Sequence, residues 1–423
     1  MSSFSIALSG LTAASSDLDT TANNVANADT IGFKSSRAEF ADVYAAGAVN
    51  LNSAEAGEGV RLDATAQQFS QGNITTTSSN LDLAISGDGF FTVKDANGIE
   101  YTRNGEFSEN SAGNVVTATG QALQVYPPLT QGGFNTGALS NLNLQTAQSA
   151  PLTTTAGSVI LNLPANTTPP TVAPFNPNNS LTYNQSTSTT IYDSLGNAYP
   201  ATLYFSATTP ATPASPPVWN VNMTVTTAPT VANPSGIVQV GGTQTLPFST
   251  AGAVTPASAG ALTFAGFNPP DGATQAMSMT FDFSKSTQYG GTFGVTSITQ
   301  NGYATGELSN VSIDPTGVVS AVYTNGRSTE LGQLALANFP NPQGLKQLGN
   351  TNWSETFSSG DVVQGAAGSA GFGNIQAGAL ESSNVDLTTE LVNMITAQRA
   401  FQANAQVITT ANQLSQTVIN ITH

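Results

Sequence analysis

The chain has 423 residues, 39% hydrophobic and only 8% charged, with 9 basic and 25 acidic residues and a net charge of −16. That length holds roughly two to four domains with real cores. The scarcity of Lys and Arg excludes nucleic acid, whose phosphates need clustered cations. With no cysteine there is no disulfide framework or thiolate chemistry, and no run of ~18 apolar residues exists to span a membrane.

The first element is a helix over residues 1–28. Phe4, Leu8, Leu11, Leu18, Ala22 and Val25 follow a heptad rhythm, with Ser15 in one seam position. The start lacks a basic region followed by an apolar one, so it does not read as a classical signal peptide. The helix stops near Asn27 to Gly32. Residues 29–76, with Gly32, Gly47, Gly57, Gly59 and Gly72 and little sustained period, read as a long, partly extended connector. Five of the nine basic residues lie between Lys34 and Arg103.

From about residue 77 the period becomes two. Leu81, Leu83 and Ile85 alternate with polar residues, and Asn97-Gly98 and Asn104-Gly105 are tight-turn dipeptides. A similar block over 299–383 carries turns at Asn301-Gly302, Pro315-Thr316-Gly317 and Asn325-Gly326. The two blocks, 77–149 and 299–383, are expected to form one discontinuous β domain. Between them, 150–298 is rich in Thr, Ala, Pro, Asn and Gly, and no charge occurs from Asn110 to Tyr192. Such a composition suits disorder as well as strands. Runs at 189–192, 201–205, 219–225 and 277–283 favour an inserted outer β domain. The last element, 384–423, carries a helical stripe over Leu387, Leu391, Met394, Phe401, Ala405, Ile408, Leu414, Val418 and Ile421 without Gly or Pro. Its other faces hold uncharged amides such as Gln398, Gln402, Asn404, Gln406, Asn412, Gln413, Gln416 and Asn420. The fold class expected is α+β and multidomain: a terminal helical coiled-coil stem, a discontinuous mainly-β domain and an inserted β domain.

No catalytic constellation is present, and no enzyme, cofactor or metal site is expected. The one histidine is His423, the last residue, so a zinc site of the usual kind has no ligands. Asp17 and Asp19 are two apart, do not share a helix face, and read as solvated charges. Ser86-Gly87-Asp88-Gly89 lacks the Lys and following helix of a phosphate loop and reads as a turn. Glu355 and Asp361 have no evident partner. A β-rich adhesin on a helical stalk would need a receptor pocket in 150–298 and would leave the paired terminal stripes unexplained.

The stripes are the strongest signal. The simplest way to bury both is to pack them together, within a monomer or on assembly. Two narrow stripes gain little against the entropy of ordering about 60 residues. The ends are therefore expected to fold mainly when subunits assemble, through Leu8, Leu11, Leu18, Val25, Leu387, Leu391, Met394, Phe401, Ile408, Leu414 and Val418. Charge-poor faces suit a homopolymer, where like charges would recur at every neighbour.

The sequence resembles the rod and hook proteins of the bacterial flagellum. The resemblance rests on SGLTAASSDLDTTANNVANADTIGFKSSRAEFADVY near the start and GALESSNVDLTTELVNMITAQRAFQANAQVI near the end, with LDLAISGDGFF and YTRNGEFS between. Rod members are much shorter. IYDSLGNAYPATLYF and GQLALANFPNPQGLKQLGNTNWSET are similar to hook-type members. The resemblance implies a homopolymeric, curved, hollow tube outside the cell that acts as a universal joint. Its partners would be rod, hook-cap and hook–filament junction proteins and the flagellar type III export apparatus, which needs no cleaved signal. A distal rod protein or another axial component is the nearest alternative.

Overall fold

The computed structural model describes residues 2–43, 57–145, 148–209, 218–231, 233–273 and 276–421. Gly47 of the expected connector and His423 lie outside the described residues. The chain is mostly β, with one helix near each end, and forms two compact units.

The first unit comprises Met1–Thr146, Asn310–Val322 and Ser328–His423. It opens with helix α1 (Ser2–Ala26) and closes with helix α2 (Leu387–Ile421). Between α1 and the sheet lies a two-stranded antiparallel ribbon, β1 (Ser36–Val43) with β2 (Gly59–Gln67), paired from Ser36↔Gln67 to Val43↔Gly59 with a bulge at Glu39/Phe40. Two stretches of the segment expected to be a long, partly extended connector are thus paired strands. The signal for the second was there: Val60, Leu62, Ala64 and Ala66 alternate with Arg61, Asp63 and Thr65, the period of a half-covered strand.

The body of this unit is one large sheet in which strands from early and late in the chain interleave. Ser328–Asn338 pairs with Phe90–Lys94 (Leu336↔Phe91) and with Ala122–Tyr126 (Leu334↔Val125). Asn352–Ser354 pairs with Ile99–Thr102. Two short pairs tie the ends to this body: Asn374–Ala377 with Leu83–Ser86, and Ala379–Glu381 with Ile74–Thr76. Leu83, Ile85, Phe91, Val93, Leu123, Val125, Leu334 and Leu336 form the main core. A second cluster gathers Phe90, Tyr101, Phe339 and Trp353 in edge-to-face contacts.

The second unit comprises Ala147–Ser309 and Tyr323–Arg327. It has two four-stranded sheets, Gln185–Tyr192 to Ile237–Leu246 in sequential order, and Ala261–Phe267, Met277–Asp282, Ala156–Asn162 and Gly294–Gln300. Both contribute to a single core that includes Leu203, Phe205, Trp219, Met223, Phe264, Met279 and Phe281. The strand-like runs read from the sequence fall inside these strands, except that 277–283 runs one residue past Asp282. Alternation explains the one-sided burial: in Gln185–Tyr192 the outward residues Ser186, Ser188 and Thr190 are exposed.

Candidate functional site

Helix α1 is unusual in its density of Ser and Thr, which favour caps and turns over helix interiors. Here their hydroxyls bond back into the helix, Thr12 to Leu8 O, Ser16 to Thr12 O and Thr20 to Ser16 O. Helix α2 is capped by Asp386, whose Oδ1 accepts from the Thr388 and Thr389 amides at 2.8 and 3.2 Å. Such a cap is worth about 1 kcal/mol, and its charge suits the helix N-terminus.

The two helices run antiparallel. Asn24 Nδ2 donates to Glu390 Oε1, and Gly10 faces the Asn404 side chain so closely that a Cβ there would sit 2.8 Å from Asn404 Oδ1. Continued at this offset, the start of α1 lies level with about Asn412. Leu414 and Val418 therefore fall beyond it.

The face of α1 that is covered is not its large-residue stripe. Its least exposed residues are Ala7, Ala14, Thr21 and Asn24, at a spacing of seven and three. With Gly10 they form a small-residue face that lets the backbones approach. On α2 the fully buried residue is Ala397, with Glu390, Met394, Asn404, Ala405, Ile408 and Ala411 partly covered. Small side chains win this contact because close approach brings many more atoms into dispersion contact than two rows of Leu held apart.

Of the stripe residues expected to act in assembly, about half are left outside the pair. Phe4 and Leu8 are 43% and 47% exposed, and Leu391 and Leu414 are 49% and 63% exposed. Leu387 and Phe401 are exposed as well. Leu11, Leu18 and Val25 are half-buried, as are Met394 and Ile408. Val418 lies within α2, but its side chain is outside the described residues. Val392, Ile395 and Val407, which sequence reasoning did not single out, are exposed too and widen the apolar surface.

Below the helix pair is a cluster that sequence reasoning missed. Glu381 Oε1 accepts from Lys34 Nζ at 2.6 Å and from the Gly72 amide at 2.8 Å, and Oε2 accepts from Arg103 Nη1 at 3.0 Å. All three side chains are buried. Lys34 Nζ also donates to Ser70 O, and Arg103 Nη2 to Gly87 O. The Arg103 guanidinium lies 5.5 Å from the centre of the Phe90 ring, while its Nε has no partner. Two cations share one carboxylate, so the site carries a net positive charge. Burial pushes the Lys34 ammonium below its ordinary pKa, and Glu381 opposes that shift. Gly32 closes the cluster. Its amide donates to Glu381 O, its φ is +69°, and a Cβ there would lie 2.5 Å from the Asn104 amide nitrogen. Only glycine fits that approach.

The cluster joins the pieces of sequence that carry the resemblance. Gly32 and Lys34 come from the first, Gly87 from LDLAISGDGFF, Arg103 from YTRNGEFS, and Glu381 from the last. Ser86–Gly89 bends the chain between two strands and contributes a carbonyl rather than a phosphate cradle. Asp17 departs from its expected place in solvent. It is half-buried beside α2, and burial raises its pKa.

Four family models match the chain in order. They are the flagella basal body rod protein over 4–34, the flagellar hook protein FlgE/F/G D1 domain over 84–174, the flagellar basal body protein FlaE D2 domain over 162–303, and the flagellar basal body rod FlgEFG protein C-terminal over 376–421. The flagellar hook protein FlgE of Escherichia coli K12 is 39% identical, across 99% of both chains. That of Rhizobium meliloti is 34% identical across 98% of this chain and 97% of its own. The Helicobacter pylori flagellar hook protein FlgE2 shares the fold at a TM-score of 0.52 and 14% identity, covering 73% of this chain and 100% of its own. The family models at both ends and between them mark an axial protein of the flagellum. The chain belongs to the flagellar hook protein FlgE family.

Proposed function

We propose that this chain, a structural subunit of the flagellar hook, polymerises through the apolar surface that its paired terminal helices leave uncovered. The observation that carries this reading is the exposure of Leu8, Leu391, Phe401 and Leu414 while small residues close the α1–α2 contact. Large apolar side chains left exposed in such number on one helix pair mark an interaction site. Copies covering one another's stripes supply the burial that the isolated pair lacks, so the helical ends are fully ordered only on assembly. The discontinuous β domain (77–149 and 299–383) and the inserted one (150–298) face outward, and the β1–β2 ribbon bridges neighbours.

The assembled form is a curved hollow tube that turns while bent and passes torque from rod to filament. Each line of subunits then shortens and lengthens once per turn. Inner helices hold contact through apolar packing. Outer surfaces lined by hydroxyls such as Ser186, Ser188 and Thr190 slide, because exchanging hydrogen bonds through water costs little. The partners are further copies, the rod, the hook cap, the hook–filament junction proteins and the type III export apparatus, by which the chain leaves the cell without a cleaved signal. Among the described residues no helix is long and apolar enough to cross a membrane.

Electron microscopy of the purified chain under polymerising conditions tests the reading, beside Leu391→Asp and Phe401→Asp. Curved tubes from the parent and none from either variant, with β circular dichroism unchanged, is the expected result. Tubes from the variants would remove the role given to the stripe, and straight tubes from the parent would favour a rod subunit.

A further inference from the structure

A tube of identical subunits grows only if one face of each copy fits a different face of the next, since a self-complementary contact closes on a dimer. The terminal helices carry such a pair of faces in their charges. Across α1 and α2 there are four charged residues: Asp17, Asp19, Glu390 and Arg399. Arg399 is the one basic group, and it makes no hydrogen bond or ion pair among the described residues. It is exposed. At 3.6 residues per turn it lies roughly 180° round α2 from Glu390, Ala397 and Asn404, the side that meets α1. It therefore points away from its own partner helix.

On the other side of the helix pair is an open groove of about 480 Å³, lined by Asp17, Thr20 and Thr21 of α1, Glu390, Asn393 and Thr396 of α2, and the Arg37 end of β1. Arg37 is already engaged by Glu39 at 2.9 Å. Glu390 accepts from Asn24. Asp17 makes no hydrogen bond or ion pair among the described residues, although it is half-buried. Burial without a partner raises its pKa, the mark of a carboxylate short of a donor. A lone cation and a lone, half-covered anion thus sit on opposite sides of one helix pair, where neither can reach the other within a copy.

We propose that in the hook polymer Arg399 of one copy enters this groove on the next and pairs with Asp17. The inference rests on the polymerising role given above and names a specific contact within it. The threonines and the Asn393 amide leave acceptors for the remaining guanidinium N–H groups, and Arg presents five such donors in a fixed fork. Opposite-face pairing gives the contact a direction, so every added copy exposes the same unfilled Arg399 or groove at the growing end.

Reciprocal charge exchange tests it in the full-length chain. Arg399→Asp and Asp17→Arg singly are expected to raise the concentration needed for polymer by at least about tenfold, equivalent to ~1.4 kcal/mol per contact. The chain carrying both is expected to recover most of that loss. Because the chain has no cysteine, Asp17→Cys copies mixed with Arg399→Cys copies should form disulfide-linked mixed dimers on oxidation of the polymer and not of the dispersed chains. This second readout stands even where a charge variant folds poorly. Arg399→Asp polymerising at the parent concentration, a double variant no better than its singles, or no mixed dimer from intact polymer would each overturn the pairing. A parent chain that forms no polymer under any condition would instead strike the subunit reading beneath it.

Discussion

Replacing Glu381 by Gln keeps the side-chain shape and removes the charge that Lys34 and Arg103 share. The carboxylate holds three donors, at 2.6, 2.8 and 3.0 Å. In the variant two cations remain in a site where no side chain is more than 6% exposed. The amide offers one acceptor oxygen and turns an NH2 group toward a cation. Removing one member of a buried ion pair costs about 3–5 kcal/mol. The upper end applies here, because the carboxylate lost is common to both cations and they then repel. The two tryptophans make the assay clean: Trp353 is buried in the first unit and Trp219 in the second. In a Trp219→Phe background, Trp353 fluorescence reports the first unit alone. At a slope of about 3 kcal/mol per molar urea, the midpoint falls by about 1 M or more. A midpoint within about 0.3 M of the parent would mean that the cluster is not what fastens the terminal segments to the sheet.

Lys34→Met should cost less than Glu381→Gln, although both remove the Lys34–Glu381 ion pair, because it leaves a neutral Glu381–Arg103 pair; the same urea titration ranks them. The Lys34 pKa is depressed in the fold, so between its folded value and the ordinary 10.5 the unfolded chain holds more protons. Parent stability relative to Lys34→Met should therefore rise as pH climbs through that window, and a flat difference would refute the burial argument. In the second unit, Tyr199 Oη donates to Asp271 at 2.7 Å, Asn197 donates to it as well, and the carboxyl is held at about 2. Its contribution is present above the ordinary carboxylate pKa and lost as pH falls toward 2, so Tyr199→Phe should flatten the acid limb of the Trp219-monitored stability. Gly10→Ile should separate α1 from α2, since even a Cβ meets the Asn404 side chain, whereas Gly10→Ala is absorbed by rotation of that flexible amide; protease sensitivity of the ends tells the two apart.

Periodicity determined most of the outline. The helical stripes placed α1 and α2 at the ends, and turn dipeptides with period-two runs placed the strands on either side of the excursion, because burying one face of a helix or strand imposes a spacing that local sequence must carry. The ribbon at β1 and β2 was less legible, because the short alternation of Val60, Leu62, Ala64 and Ala66 is set among glycines. Which face of each helix would close was not legible. A heptad of Leu and a heptad of Ala, Gly and Thr occupy the same helix about 80° apart, and only the approach distance at Gly10 and Asn404 chooses between them. The Lys34–Arg103–Glu381 cluster was out of reach for a different reason. Its members are separated by 278 and 347 positions from Glu381. A single charge in a sequence does not reveal whether it will be solvated or enclosed. Only the return of the chain's last segment to its first brings the three together, and burial then makes their pairing obligatory.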